Sequence, residues 1–286
     1  MTVSDFERGA VFQHLRVFQN LKTLVLGLAI LVLAGTPALQ SQGLSGLEEG
    51  DSPLEINAED GIEWRRDEQT YVARGNARAA RGELEVFADV MIASYRASEQ
   101  SSTDIYRIDV HGNVRIVTPN EVVYGENGVY DVENGILVLT GNNLKLTSGQ
   151  DVLTAQDSLE YWEGKQLAVA RGNAVATRED KRIRGDVLTA HFEQGADEQL
   201  ELARVDAFDN VEVATQQEFA RADKGQYFVK REVARLIGNV KITRCGNQMN
   251  GSEAEVNLAT GVSRMLAGQD GRVDALIVGS QDTCAE

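Results

Sequence analysis

Two histidines, His111 and His191, are the only side chains of this type beyond residue 38, and eighty residues separate them. A Ser-His-Asp arrangement would have to use one of them, and a zinc site needs about four clustered nitrogen or sulfur ligands. No HExxH, CxxC, GxSxG or GxGxxG pattern occurs. We therefore predict no catalytic residue, no metal site and no cofactor, and we interpret both histidines as structural residues near turns or strand ends.

Carboxylates are plentiful, with 44 Asp and Glu residues, so the composition is compatible with a carboxylate pair for glycoside hydrolysis. Carbohydrate-cleaving solenoids usually line their grooves with aromatic side chains, and only 6% of these residues are aromatic. Acidic residues at alternate strand positions are more simply a solvated face. A β-solenoid polysaccharide-processing enzyme remains the alternative from a different class, and hydrolysis in a glycan screen would identify it.

An apolar segment near the N-terminus predicts export. Residues 24–34 (LVLGLAILVLA) carry no charge, Lys22 precedes them, and small residues follow at Thr36 and Ala38. Eleven residues are few for a bilayer span, which needs about 20. We predict a cleaved signal peptide over residues 1–38, a flexible leader over 39–52 and an exported protein. The alternative is a retained membrane anchor that extends through Leu39.

Two cysteines, Cys245 and Cys284, form a candidate disulfide in an exported protein. The bond would fix the C-terminal tail, residues 279–286. The alternative is two unpaired thiols with no role.

The charge balance is acidic. Without residues 1–38 the chain keeps 25 basic and 42 acidic residues, a net charge of −17. Such a surface repels nucleic acid and anionic lipid headgroups, so we predict no nucleic-acid partner. An anionic ligand must be held by its apolar part or by local basic patches.

A duplicated unit organises the elements. Gly-Asn or Asp-Asn pairs begin at residues 75, 112, 141, 172, 209 and 238, with steps of 37, 29, 31, 37 and 29 residues. Residue 75 therefore maps to 172, 112 to 209 and 141 to 238, each at an offset of 97. The sequence ARGNA also recurs at 73–77 and 170–174. We predict a first copy over about residues 72–168 and a second copy over about 169–265.

Alternation of apolar and polar residues predicts half-buried strands, for example Val114-Arg115-Ile116 and Val240-Lys241-Ile242. The Gly-Asn pairs, residues 126–128 and 133–135, and Glu163-Gly164 have turn chemistry, since Gly and Asn tolerate positive φ. Residues 97–103 and 193–199 are predicted loops at equivalent places in the two copies. We find no convincing long helix. The pattern predicts an all-β, solenoid-like sandwich of about sixteen short antiparallel strands over residues 53–278, open at both ends.

Five segments carry a resemblance to a known family: residues 54–64 (LEINAEDGIEW), 71–77 (YVARGNA), 82–90 (GELEVFADV), 233–240 (VARLIGNV) and 251–256 (GSEAEV). Together they resemble the LptA/OstA family of periplasmic lipopolysaccharide-transport proteins. Each motif is weak alone, but their order and spacing are fairly specific. The chain departs from the usual family pattern by its extra 97-residue copy.

The resemblance implies a folded-over β-jellyroll that carries lipopolysaccharide, with lipid A chains in an apolar groove. It also implies end-to-end stacking and a bridge between an inner-membrane Lpt component and an outer-membrane Lpt translocon of similar fold. If residues 24–39 are retained, the chain would instead be an inner-membrane-anchored accessory of the same pathway. No catalysis is expected in either case.

Two sets of residues follow from this hypothesis. The groove would be lined by Leu84, Val86, Val114, Ile116, Leu144, Leu146, Val211, Val213, Val240 and Ile242. The same residues could instead close a dry core. The first strand, 54–58, and the last, 273–278, would present unpaired backbone groups to partners or to a second copy of the chain. Their apolar contact residues are Leu54, Ile56, Val273, Ala275 and Ile277.

Overall fold

The computed structural model describes residues 54–96, 104–195, 200–216, 218–244, 246–257, 260, 262–267 and 271–278. The predicted signal peptide, the leader, the loop at 97–103, the cysteine pair and the C-terminal tail lie outside these residues. Of the second predicted loop, Glu193 and Gln194 instead belong to a strand, and residues 196–199 are outside the described part.

Eighteen strands are hydrogen-bonded into one antiparallel sheet within the described residues. The all-β prediction is confirmed, but ten strands have 11–15 residues and are longer than expected. A 3₁₀ turn spans Glu163–Lys165. The strands are β1 Glu55–Asn57, β2 Gly61–Arg65, β3 Thr70–Arg81, β4 Leu84–Arg96, β5 Asp104–Val117, β6 Glu121–Asp131, β7 Ile136–Thr140, β8 Leu144–Ser148, β9 Asp151–Ala155, β10 Ser158–Trp162, β11 Leu167–Arg178, β12 Lys181–Gln194, β13 Leu200–Ala214, β14 Glu218–Phe228, β15 Val233–Arg244, β16 Asn247–Asn257, β17 Val262–Leu266 and β18 Asp274–Leu276.

The Gly-Asn pairs explain the strand length. Five of the six pairs lie inside strands and not in turns, so that part of the turn prediction is wrong. At Gly75-Asn76 both φ angles are positive, and the β3–β4 register skips from Arg74 to Ala77. Two left-handed residues in succession form a bulge that bends the chain, while the ladder continues on either side. Each such strand therefore turns a corner without ending.

A carboxylate on the preceding strand fixes several corners. The Nδ2 of Asn113 donates to Asp89 at 2.9 Å, and the same contact joins Asn210 to Asp186 and Asn239 to Asp223 at 2.8 Å. A Cβ at Gly112 would lie 2.1 Å from the Asp89 carboxylate oxygen. Glycine is thus required there by the close approach as well as by its positive φ.

Of the other predicted turns, one also lies inside a strand and two are turns. Residues 126–128 lie inside β6, where Asn127 and Gly128 pair with both β5 and β7. Residues 133–135 do form the turn between β6 and β7, where the backbone N–H of Asn134 donates to the Asp131 carboxylate at 3.1 Å. Glu163-Gly164 lies in the 3₁₀ turn that connects β10 to β11.

The corners divide the sheet into two facing layers. Layer A contains residues 70–74 of β3 and the corresponding segments from β2 to β17, and layer B contains residues 77–81 of β3 and the corresponding segments from β1 to β18. Each layer has fourteen segments among the described residues. The inner faces meet in one hydrophobic core that includes Ala73 of layer A and Val114 of layer B.

The strands repeat at the interval seen in the sequence. The first strand of the first copy, β3, starts at Thr70, and its equivalent β11 starts at Leu167, 97 residues later. Strands β4, β5 and β6 correspond to β12, β13 and β14. At one end β1 and β2 are the edges of the two layers, and at the other end β18 and β17 are.

Candidate functional site

The inner face of layer B carries a continuous apolar row that runs across the strands, and we call it row B. Successive members face each other in the ladder, one from every segment of the layer. Row B consists of Ile56, Ala79, Val86, Ile116, Val123, Leu146, Leu153, Ala176, Ile183, Val213, Ala220, Ile242, Met249 and Ala275.

Layer A carries the matching wall, row A, whose members are also joined pairwise by the ladder. All fourteen are apolar or glycine. Row A consists of Ile62, Ala73, Met91, Val110, Gly128, Leu139, Leu159, Ala170, Leu188, Ala207, Gly225, Leu236, Ala254 and Met265. Rows A and B together make an apolar interior that passes through both copies.

The ten predicted groove residues all belong to the core: four occupy one depth, five occupy a second, and Leu84 lies apart from both. Val114, Leu144, Val211 and Val240 follow the corners directly and are 1% exposed. They form the dry base where the two layers join. Five others belong to row B, two residues farther from the corner: Val86, Ile116, Leu146, Val213 and Ile242. Leu84 is buried at the start of β4.

Three cavities lie against row B and separate these two depths. Val86 and Ile116 line the first, Leu146 lines the second, and Val213 and Ile242 line the third. Each has a volume of about 80 Å³, several times the roughly 10–15 Å³ that one water requires. The dry base and Leu84 line none of these three. The interior is therefore closed at the corners and loosely filled farther out.

Sequence reasoning missed the opposite wall. All ten predicted residues lie in layer B, because the strong Val, Ile and Leu alternation follows the Gly-Asn pairs along the chain. Row A has small members such as Ala73, Ala170, Gly128 and Gly225, which give little hydrophobic signal. The period-two spacing of Ile108 and Val110, repeated at Val205 and Ala207, was the signal that could have identified it.

A second row on the inner face of layer B consists of seven polar side chains, six of them ionisable, and we call it the polar row. It lies two residues outward from row B, toward the open side. Its members are Glu121, Ser148, Asp151, Arg178, Lys181, Glu218 and Arg244. The sequence did not reveal it, because three of its cross-strand pairs join residues 26 or 27 positions apart in the chain: Glu121–Ser148, Asp151–Arg178 and Glu218–Arg244.

Burial perturbs the carboxyl groups of the polar row. Desolvation raises the pKa of Glu121 to about 7. It raises the pKa of Asp151 to about 6, opposed by Arg178, whose Nε lies 3.2 Å from the Asp151 Oδ1. The pKa of Glu218 is also raised by burial and opposed by Arg244 at 3.7 Å. The interior therefore changes from apolar to weakly compensated charge toward its open side.

The predicted partner-contact residues lie at the two ends of the sheet. Ile56 is in β1 and Ala275 in β18, while Leu54, Val273 and Ile277 flank these strands. Both strands are shorter than predicted. Ile277 is 80% exposed, and exposed apolar side chains also include Trp64 of β2 and Val262 of β17.

The histidines lie on the outer face of layer A. His111 contacts the Asn127 amide oxygen through Nδ1 at 2.9 Å. For His191, Thr189, Asp206 and Arg204 all contact the same ring nitrogen, Nε2, at 3.1–3.3 Å. A catalytic triad needs the nucleophile and the carboxylate on different nitrogens, so this cluster lacks that geometry.

Among the described residues, no group of three or more His, Cys, Asp or Glu side chains is placed to hold a metal ion. No helix in this part of the chain is long and apolar enough to cross a bilayer.

The corners, the two layers and the continuous apolar interior define a folded-over β-jellyroll. The model of the family described as LptA/(LptD N-terminal domain) LPS transport protein matches residues 55–161 and again residues 156–262. The chain therefore belongs to this family of lipopolysaccharide transport proteins, and it contains the family unit twice.

Two individual proteins are similar. An uncharacterized protein of Rhizobium meliloti (strain 1021) is 26% identical over 175 residues, which cover 59% of this chain and 94% of that protein. The crystal structure of LptH of Pseudomonas aeruginosa is described as the LptA homologous periplasmic component of the lipopolysaccharide transport device. The two sequences are 19% identical, the match covers 45% of this chain and 94% of that chain, and the TM-score is 0.39.

Proposed function

We propose that this chain is a periplasmic lipopolysaccharide carrier that holds the acyl chains of lipid A between layers A and B. The observation that carries the proposal is the unbroken pair of facing apolar rows, which runs from β1 and β2 to β18 and β17. The family match supports the class of cargo. No catalytic step is part of the proposal.

The energetics favour such an interior. Burial of hydrocarbon is favourable by about 0.8 kcal/mol per CH₂, so one chain of a dozen carbons gains roughly 10 kcal/mol. A carrier must also release and pass on its cargo, which requires the lining to be uniform along its length. Rows A and B provide this uniformity, because every ladder step places an apolar residue or a glycine on the interior.

The cavity-lining members of row B would contact the acyl chains, and the dry base would not. Ile116 and Ile242 serve as the two test positions, one in each copy. Both line cavities. Their chain neighbours Arg115 and Lys241 point to the outer face, so they are matched controls.

Photo-crosslinking tests the assignment. A benzophenone amino acid at Ile116 or Ile242 should capture lipopolysaccharide in cells, whereas the same probe at Arg115 or Lys241 should not. Adducts are detected as a mass shift that reacts with a lipopolysaccharide antibody. Equal labelling of inner and outer positions, or none, would reject the lipid-carrier function.

The bridging role is a further part of the proposal. Backbone groups of β1 and β2 at one end, and of β17 and β18 at the other, are available for strand addition by Lpt partners of similar fold or by a second copy of this chain. The exposed apolar residues at both ends, including Leu276, would be covered by such contacts.

Light scattering of the full chain at increasing concentration tests self-association. The wild type should form higher oligomers, and Leu276→Glu should shift them toward the monomer. Tyr124→Glu is the control, because Tyr124 is an exposed apolar side chain in the middle of layer B. A wild type that stays monomeric at every concentration would remove the self-stacking part and leave the carrier function standing.

A further inference from the structure

The polar row contains one ion pair that is poorly matched, Asp151 with Arg178. The strands β9 and β11 place the two residues directly opposite each other. Both side chains are mostly buried, with 12% and 15% of their surface exposed. Yet neither Asp151 carboxylate oxygen accepts a hydrogen bond within the described residues, although the Arg178 Nε lies 3.2 Å away.

A guanidinium has five N–H donors in a planar fork that suits bidentate binding of an oxyanion. At this pair the Arg178 fork is close to a carboxylate but is not hydrogen-bonded to it. The raised pKa of Asp151 agrees with this, because the arginine compensates its burial only in part. Exchanging Asp151 for a better-placed anion would therefore cost Arg178 no hydrogen bond to that carboxylate.

The surroundings specify what kind of molecule would bring that anion. Asp151 and Arg178 line one side of the middle cavity, and the aliphatic Leu146, Leu153 and Ala176 of row B line it farther in. Lys181, a second cation, lies opposite Arg178 on β12. An amphiphile with its hydrocarbon on row B would place its headgroup at Arg178.

The acidic surface makes a local cation favourable at such a site. The chain has a formal net charge of −16 and repels anions at long range. A local cation at the open side of the interior would offset this repulsion for a negatively charged headgroup.

We propose that Arg178 leaves Asp151 and binds a phosphate group on the headgroup of the lipid whose acyl chains occupy the middle cavity. This inference rests on the proposed carrier function and adds a recognition residue to it. Arg178 thus makes the interior selective for phosphorylated amphiphiles over neutral ones of the same hydrocarbon content.

Binding of two lipids to the dye-labelled full chain tests the inference: lipid A and the same lipid A after removal of its phosphates. The wild type should prefer the phosphorylated form by roughly tenfold or more, the range expected for a charge-assisted hydrogen bond. Arg178→Gln should abolish this preference and leave the affinity for the dephosphorylated lipid unchanged. Arg178→Lys, which keeps the charge, should retain part of it.

Arg182→Gln is the matched control, because Arg182 lies in the next strand on the outer face of layer B, 48% exposed. It should behave as the wild type. The unchanged affinity of Arg178→Gln for the dephosphorylated lipid also shows that the variant is folded.

Three results would overturn the inference. Arg178→Gln could weaken both lipids equally, which would make Arg178 a structural residue. Arg178→Gln and Arg182→Gln could lower the preference for phosphorylated lipid equally, which would show that only the net charge of the protein matters. Inorganic phosphate could bind the wild type and not Arg178→Gln while lipid affinities stay equal, which would indicate a free-phosphate site. A wild type that binds neither lipid would be a different failure, that of the carrier function itself.

Discussion

The two copies share one interior but differ in the polar groups around it. Arg107 and Asp109 of the first copy correspond to Arg204 and Asp206 of the second, 97 residues later, and each arginine donates to its aspartate. In the second copy Gln226 also donates to Asp206 at 2.8 Å, and the Asp206 side chain is only 3% exposed, against 18% for Asp109. The apolar rows thus tolerate very different outer faces.

The copies also differ at one corner, where the first copy has one extra residue. The first copy has Gly141, Asn142 and Asn143 between β7 and β8, whereas Gly238-Asn239 lies inside the unbroken β15. One extra residue within a strand would turn every later side chain to the other face. The corner absorbs the extra residue instead, so Leu144 and Val240 both point inward and are 1% exposed. The corners therefore protect the register of the interior.

The largest difference between the copies is expected at row A. Leu139 is 1% exposed, whereas its equivalent Leu236 is only partly buried and borders a cavity. Leu139→Ala should lower the free energy of unfolding by about 3 kcal/mol, and Leu236→Ala by about 1–2 kcal/mol. Urea unfolding followed by circular dichroism measures both. Equal costs would show that the second copy is packed as tightly as the first.

The outer-face clusters should differ next. Asp206→Ala removes a buried acceptor for Arg204, His191 and Gln226 and should cost about 2 kcal/mol. Asp109→Ala removes a more exposed pair and should cost less than about 1 kcal/mol. The same unfolding measurement applies. A larger effect at Asp109 would contradict the difference in burial.

A pair of glycines compares how closely the layers are packed. A Cβ at Gly128 would lie 2.7 Å from side-chain methyl groups of both Leu139 and Val110, whereas at Gly225 the nearest atom is 3.4 Å away. Gly128→Ala should destabilise by about 1–2 kcal/mol through overpacking. Gly225→Ala should change stability by less than about 1 kcal/mol, in the stabilising direction, because it restricts the unfolded chain. If thermal unfolding shows that both variants are destabilised equally, the two glycines do not differ in packing.

The effect expected at Glu121 depends on pH. Its pKa is about 7 when folded against a usual 4.5, so the folded state binds the proton more tightly. The stability contributed by the protonated form is complete below pH 4.5 and is lost as the pH rises toward 7. Glu121→Gln should therefore be more stable than the wild type at pH 8, by up to about 3 kcal/mol because the pKa of Glu121 is about 7 in place of 4.5, and equal to it at pH 4.

Glu218→Gln is the equivalent substitution in the second copy. Its gain at high pH should be smaller, because Arg244 partly offsets the burial of Glu218. Urea midpoints at the two pH values give both comparisons, and a gain at Glu121 that persists at pH 4 would rule out the titration as its cause.

Much of this architecture was predictable from the sequence. The Gly-Asn spacing located the corners, and the alternation around Ile116 and Ile242 identified the inner face of layer B. The corners were misread as turns because Gly-Asn has the same φ preference in a reversal and in a bulge, and only the ladder on both sides distinguishes them. The Asp151–Arg178 pair was not predictable, because it depends on the pairing of β9 with β11 across 27 residues of chain.

Row B runs perpendicular to the strands, so the number of strands sets the length of the apolar interior. Fourteen segments at about 4.8 Å spacing extend for roughly 60 Å, and the six segments of each copy contribute about 29 Å of that length. Duplication therefore lengthens the apolar interior and leaves its cross-section unchanged. The number of copies in a chain sets how far the interior of a single molecule extends.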